Sequence, residues 1–321
     1  MRLRRYIIFR FLQLIPVIFI VIFINFLLIH LAPGDVAITL AGEDADPVYI
    51  ENIREIYGLN KPFHEQLLLY LGQVLQGDLG ISFVSRQPVL HEILERVPAT
   101  LLLVGTSLII AIVIGTTLGT LVAQRPGSVI DSILSLVAVA AYSIPVFWLG
   151  LMLVLFFGVF LKWFPISGMY SLLIPKEGFD RVLDIAKHLV LPSIALSSVW
   201  IGQYFRLSRT SVAEVYNEHY IVTVKAIGFS SNTILLHYAL RNALLPIVTI
   251  FGVQLGLALT GAVLTETVFS WPGLGRLIYD AILARDTPII MGAYIVMSIC
   301  VAFASLITDL LYAVLDPRVE L

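Results

Sequence analysis

Two His-Glu pairs, His64-Glu65 and His91-Glu92, are the nearest this chain comes to a hydrolytic metal site. Neither continues to the second histidine that would share a metal on the same helical face. No G-x-x-x-x-G-K-[ST] run is present, so the backbone nest and lysine that cradle nucleotide phosphates are missing. No G-x-S-x-G elbow occurs, and Gly273-x-Gly275 is a fragment of a dinucleotide fingerprint that does not follow a strand. The one cysteine, Cys300, sits in an apolar run, which excludes an intrachain disulfide and a cysteine-rich metal site. The expectation is no catalytic residue, no metal ligand and no cofactor bound by the chain itself. If it drives transport, the energy comes from an ion gradient or from a separate ATPase.

The elements that would position any such chemistry are apolar to an unusual degree. Hydrophobic residues make up 59% of the 321, charged residues only 13%, and the mean hydropathy is +0.94, whereas soluble domains carry about 25% charged residues. Stretches long enough to cross about 30 Å of hydrocarbon lie at roughly 11–31, 99–123, 133–161, 189–205, 243–265 and 289–315, and together they hold one charged residue, Asp309. The fold class expected is therefore an all-α integral membrane protein of about six transmembrane helices. A net charge of −2 gives no basic field for nucleic acid.

An ion-coupled carrier needs ionisable groups near the bilayer midplane. Asp309 lies about 10 Å from the end of the last span at 1.5 Å per residue, where it reads either as a snorkelling or paired group or as a gating and ion site. Gln13, Asn25, His30 and Gln254 are polar groups in apolar runs, of the kind that hydrogen-bond between helices.

With the N-terminus inside, segments 1–10, 124–132, 206–242 and 316–321 hold ten Lys and Arg in 62 residues, against ten in 117 outside. Four of the ten are Arg2, Arg4, Arg5 and Arg10, which also favour both termini in the cytoplasm. The first apolar run is too long for an ordinary signal peptide and ends without a small-x-small cleavage site, so it reads as a retained span. Three parts follow: the N-terminus and first span at 1–31, an extracytoplasmic subdomain at 32–98, and a five-span core at 99–321 with a cytoplasmic loop at 206–242. Within the subdomain, 51–57 and 63–75 read as amphipathic helices, punctuated by turns at Pro33-Gly34, Gly42, Pro47, Gly58 and Gly77.

In the cytoplasmic loop, Ile221, Val224 and Gly228 stand three and four residues apart, and Leu236, Leu240 and Leu244 stand four apart, both at helical spacing. Gly228 can take the left-handed conformation that ends a helix, and Ser230, Ser231 or Asn232 can cap the next. The pattern predicts a short helix, a tight turn and a second helix, with Pro246 marking the entry to the fifth span. Such an elbow serves equally as a force-transmitting contact or as an ordinary surface connection.

The same residues carry a resemblance. Tyr220-Ile221-Val222-Thr223-Val224-Lys225-Ala226-Ile227-Gly228, followed by 237–246 (HYALRNALLP), resembles the EAA loop of ABC importer permeases in its peptide-transporter form. Residues 264–277 (LTETVFSWPGLGRL) and 315–318 (LDPR) resemble other hallmarks of the same branch. Residues 32–35 (APGD) and 77–82 (GDLGIS) match the B-type permease of dipeptide and oligopeptide systems, so the likeness spans nearly the whole chain. It departs at Val224 and Ile227, where the family usually has Ala and a basic residue.

The resemblance implies a membrane permease without catalytic activity, which imports dipeptides or oligopeptides by a binding-protein-dependent route. It implies a second, homologous permease subunit, two cytoplasmic ATPase subunits that carry the ATP and Mg, an extracytoplasmic solute-binding protein, and residence in the lipid of the inner membrane. Val222, Thr223, Val224, Lys225, Ala226, Ile227, Gly228 and Phe229 would couple to the ATPase, with apolar side chains from Val222 to Phe229 as knobs for its groove. Gln254, Thr260 and Glu266 are candidates for the substrate path. The six-residue spacing puts Gln254 and Thr260 on different helix faces. The same architecture also serves nickel chelates, glutathione and oligosaccharides; the alternative of another class is an ion-coupled carrier built on Asp309.

Overall fold

The computed structural model describes residues 2–31, 35–41, 45–56, 58–171, 176–259 and 262–315, excepting the side chains of 2–8, 10, 29, 36, 39, 40, 241, 245, 257–259 and 309–315. Among these the chain is helical, and its one β-type pairing is the isolated bridge between Ile81 and Pro88. The helices are α1 (Arg2–Leu31), α2 (Val36–Ala41), α3 (Pro47–Ile56), α4 (Phe63–Leu75), α5 (Val89–Ala123), α6 (Val129–Ser143) and α7 (Val146–Leu153). After a π-helical stretch at Val154–Phe160 come α8 (Gly178–Tyr216), α9 (His219–Ile227) and α10 (Ser231–Thr233). A second π-helical stretch, Ile234–Ala239, leads to α11 (Leu240–Leu259), α12 (Val263–Val268), α13 (Leu274–Leu283) and α14 (Thr287–Leu315).

Among the described residues, four helices, α1, α5, α8 and α14, contain stretches long and apolar enough to cross a membrane, and two bent pairs bring the number to as many as six. One bent pair is α6 with α7 and its π-helical continuation, meeting at 98°. The sequence shows 133–161 as one continuous apolar run, yet Pro145 forces the preceding Ile144 out of the helical region, to φ −78° and ψ 126°. The other pair, 231–239 with 242–256, bends by 47°. Pro246 lies inside α11, six residues after its first residue.

The chain divides into two compact units. The first comprises 1–100, 259–263 and 272–303, so part of the distal chain packs with the N-terminal region. Its core gathers Val89 and Ile93 of α5, Leu274 and Ile278 of α13, and Ile289 and Ala293 of α14. Gly292 lets α14 approach closely, since a Cβ there would stand 2.4 Å from Val89 Cγ1. A smaller cluster of Ala37, Ala41 and Ile53 holds α2 to α3. Pro47 proves to be the first residue of α3 and not a turn, with Asp46 Oδ1 accepting from the Val48 amide at 2.8 Å. The expected turns at Pro33-Gly34 and Gly42 lie outside the described residues. The 77–82 motif makes two left-handed turns, at Gly77 and Gly80. It ends with Ser82 Oγ donating to the buried Asp286 carboxylate at 2.5 Å.

The second unit comprises 101–258, 264–271 and 304–321. Its helices meet at glycines. A Cβ on Gly115 would lie 2.8 Å from the Ile201 carbonyl oxygen, and one on Gly119 would lie 2.4 Å from that of Phe205, so this G-x-x-x-G pair brings α5 and α8 almost backbone to backbone. Gly202 does the same for α8 against the Ala138 carbonyl at 2.6 Å.

Candidate functional site

With 39 residues, α8 is about 58 Å long at 1.5 Å per residue, almost twice the hydrocarbon thickness of about 30 Å. Part of it therefore runs beyond a bilayer, and after α8 the chain folds back through α9 and α10 into α11. Gly228 caps α9 at φ +95°, the left-handed geometry that glycine adopts without cost, and Ser230 Oγ accepts from the Thr233 amide at 3.3 Å to start the next helix. The helix, turn and helix expected from the sequence are present.

The elbow has an inner and an outer face. Ile221 and Val224 are buried against Ile234, with Val215, Tyr216 and Tyr238 packed around them. Tyr220 Oη donates to the Tyr238 carbonyl at 3.1 Å and accepts from Asn242 Nδ2 at 2.7 Å. Val224 is therefore an anchor within the chain and not an outward knob. Val222, Thr223, Lys225, Ala226, Ile227, Gly228 and Phe229 are exposed, Val222 by 60% and Ile227 by 68%. Lys225 Nζ lies 5.2 Å from the centre of the Tyr216 ring, and Phe229 rests against Tyr238 at 5.7 Å between ring centres. A Cβ on Gly228 would meet nothing within 4 Å, so the space beside it is open.

Beyond the elbow, the inward stripe is Leu235, Ala239 and Ala243, packed with Ala123 and Val212. Leu236 and Leu244, which the sequence spacing singled out, are exposed. The fully buried row is one residue earlier than the leucine spacing suggested, and Leu240, the third of those leucines, packs against it half-buried.

Of the three path candidates, Gln254 is half-buried and donates through Nε2 to Gln203 Oε1 at 2.7 Å, linking α11 to α8. The pair stands 13 residues before the end of α8 and 14 after the start of α11, about 20 Å along each helix from those ends at 1.5 Å per residue. Glu266 is fully buried, so its carboxyl group does not line an open surface in this conformer. Thr260 lies outside the described residues, and so does the Asp309 side chain.

Two clusters were not read from the sequence, one joining residues 78 positions apart and the other residues 8 and 13 apart. Asp131, buried at the start of α6, takes a two-point ion pair from Arg209 of α8, with Nε at 2.5 Å and Nη2 at 2.7 Å, and also accepts from the Gly127 amide at 2.9 Å. Asp184 of α8 accepts from Lys176 Nζ at 2.7 Å and from the Ser171 amide at 2.6 Å, tying down the preceding loop. The four likeliest ligands for a metal, His, Cys, Asp and Glu, form no group of three among the described residues.

The family model described as "Binding-protein-dependent transport system inner membrane component" matches residues 115–321, and its N-terminal companion matches 3–104. The chain is 39% identical to the di/tripeptide transport system permease protein DppB of Pseudomonas aeruginosa, over 96% of each chain. It is also 39% identical to the oligopeptide transport system permease protein AppB of Bacillus subtilis, over 98% of this chain and 99% of that one. The glutathione transport system permease protein GsiC of Escherichia coli is 38% identical, over 98% of each. A chain of the MetNI methionine ABC transporter, solved in inward-facing conformations, shares the fold at a TM-score of 0.56 and 18% identity, covering 70% of this chain and 96% of that one. Apolar helices, two bent helix pairs and two family matches that together span almost the whole sequence give one conclusion: the chain belongs to the inner-membrane permease components of binding-protein-dependent transport systems.

Proposed function

We propose that this permease imports dipeptides or oligopeptides, and that α9 is its coupling helix. Membership in the family makes it a multi-pass inner-membrane subunit and not an enzyme. The peptide reading is supported by relatives named as di/tripeptide and oligopeptide permeases over nearly the full length of this chain. Glutathione, the cargo named for a third relative, is itself a small peptide and remains within the same substrate class.

The coupling reading is carried by one observation. A short helix anchored inward by Ile221 and Val224 holds Val222, Ile227 and Phe229 outward beside an open glycine turn. Apolar side chains exposed on a stiff elbow suit the groove of a soluble partner, and Gly228 lets that partner approach the backbone. The partner is one of two ATPase subunits that hold ATP and Mg, on the side of the membrane where both termini of this chain lie. A second, homologous permease completes the passage, and a solute-binding protein delivers cargo to the extracytoplasmic subdomain at 32–98. Gln203 and Gln254 contribute to the polar lining of the path.

The test is purification of the tagged chain in gentle detergent, with partners identified by mass. ATP hydrolysis is then measured with and without peptide-loaded binding protein. Co-purifying ATPases stimulated by the loaded protein are expected; a lone chain that transports in liposomes without ATP would make it an ion-driven carrier.

A further inference from the structure

A groove of about 190 Å³ lies between α6 and α8, within the second unit. Ala138, Val139, Tyr142 and Phe205 line it, and so do two basic residues, Arg206 and Arg209. Arg209 is neutralised by Asp131 through the two-point ion pair. Arg206, one turn earlier on α8, is exposed and makes no side-chain hydrogen bond or ion pair among the described residues. The groove thus carries one uncompensated positive charge over an apolar wall. On the groove side of α6, Val139 and Tyr142 are themselves exposed.

We infer that this groove binds the headgroup phosphate of an anionic glycerophospholipid, with Arg206 as the charged contact and the exposed face of α6 as the bed for an acyl chain. A phosphodiester carries one negative charge, which matches the single free guanidinium, and the planar fork of arginine pairs with two phosphate oxygens at once. Basic pockets between membrane helices at the cytoplasmic side are established headgroup sites, and Arg206 begins the loop that the charge distribution puts on that side. Apolar walls distinguish a lipid from free phosphate, which gains nothing from Tyr142, Phe205 or Val139. The inference rests on α6 and α8 spanning the membrane and not on which solute is carried.

The experiment uses the complete importer, purified in nanodiscs of phosphatidylcholine with a minor fraction of phosphatidylglycerol. Lipid that stays bound after transfer to detergent is counted by native mass spectrometry. The wild type is expected to retain phosphatidylglycerol over phosphatidylcholine. Arg206→Gln should lower that retention about fivefold, the weight of roughly 1 kcal/mol for one basic residue at an anionic surface. Arg206→Lys should keep most of it, and millimolar inorganic phosphate should not compete. Equal retention by wild type and Arg206→Gln would overturn the inference, as would displacement by phosphate. So would a photo-cross-link from a benzophenone maleimide on Val139→Cys to the second permease in complexes that hold no lipid, because the groove would then be a subunit contact. Unchanged ATP hydrolysis in Arg206→Gln would separate this result from any failure of the transport reading.

Discussion

Ile221 of α9 and Ile234, just past the turn, are buried together, with 0% and 2% of their surfaces exposed. That contact makes the short helix and the start of the next one a single stiff piece. If α9 is the coupling helix, a push on its outer face would pass through this contact toward α8 and the helix that follows.

Gly228→Val should uncouple the importer. Its φ of +95° lies where a β-branched residue is a genuine outlier, at a cost of about 1–2 kcal/mol. Because the neighbouring space is open, that cost falls on the turn and not on core packing. The complex should assemble, while peptide uptake per ATP hydrolysed in proteoliposomes drops severalfold. Unchanged uptake would contradict the coupling role.

The two faces of α9 should separate by mutation. Ile227→Glu replaces a side chain that is 68% exposed and should leave thermal stability within about 0.5 kcal/mol, yet weaken co-purification of the ATPase. Ile221→Ala empties a fully buried position and should destabilise the elbow by about 2–4 kcal/mol. Paired melting and pull-down measurements on the two variants distinguish these effects.

Much of this division was legible in the sequence, because apolar runs, glycine and capping residues act locally. The α4 boundaries, the turn at Gly228 and the cap at Ser230 all follow from adjacent residues. Which side of α9 faces inward was not legible, since Val222 and Val224 are equally apolar and only the position of Ile234 and Tyr216 decides between them. The Gln203–Gln254 and Asp131–Arg209 pairs join residues 51 and 78 positions apart, so no local pattern points to either. The break at Ile144-Pro145 was written in the sequence, but the unbroken hydropathy around it concealed a 98° bend.

The α5–α8 contact should be intolerant of side chains at Gly119. A Cβ there would meet the Phe205 carbonyl at 2.4 Å and clash with Ser208 Oγ, so Gly119→Val should cost about 1–3 kcal/mol or more. Gly105 lies on the same helix with nothing within 4 Å. Gly105→Ala should therefore be neutral or stabilising by up to about 1 kcal/mol. Melting temperatures of the two purified variants check the contrast.

Asp131→Ala should destabilise the α6–α8 pairing, because it leaves the Arg209 guanidinium without its partner. Breaking a buried pair costs about 3–5 kcal/mol, and the Arg209 side chain is 34% exposed, so solvent screening brings the expected loss to about 1–3 kcal/mol. The double variant Asp131→Ala with Arg209→Met should recover part of it. A double-mutant cycle on thermal stability reads the coupling directly.

The most direct test of the central claim is site-specific cross-linking from the outer face of α9 in the purified importer. The chain would carry Ile227→Cys, with Cys300 replaced by serine to remove the native thiol. A short bifunctional reagent should join Ile227→Cys to an ATPase subunit, with a yield that changes when ATP binds, while Val84→Cys in the subdomain should give no such product. Absence of an ATPase adduct from both Ile227→Cys and Val222→Cys, or its appearance from Val84→Cys, would contradict the assignment of α9 as the coupling helix.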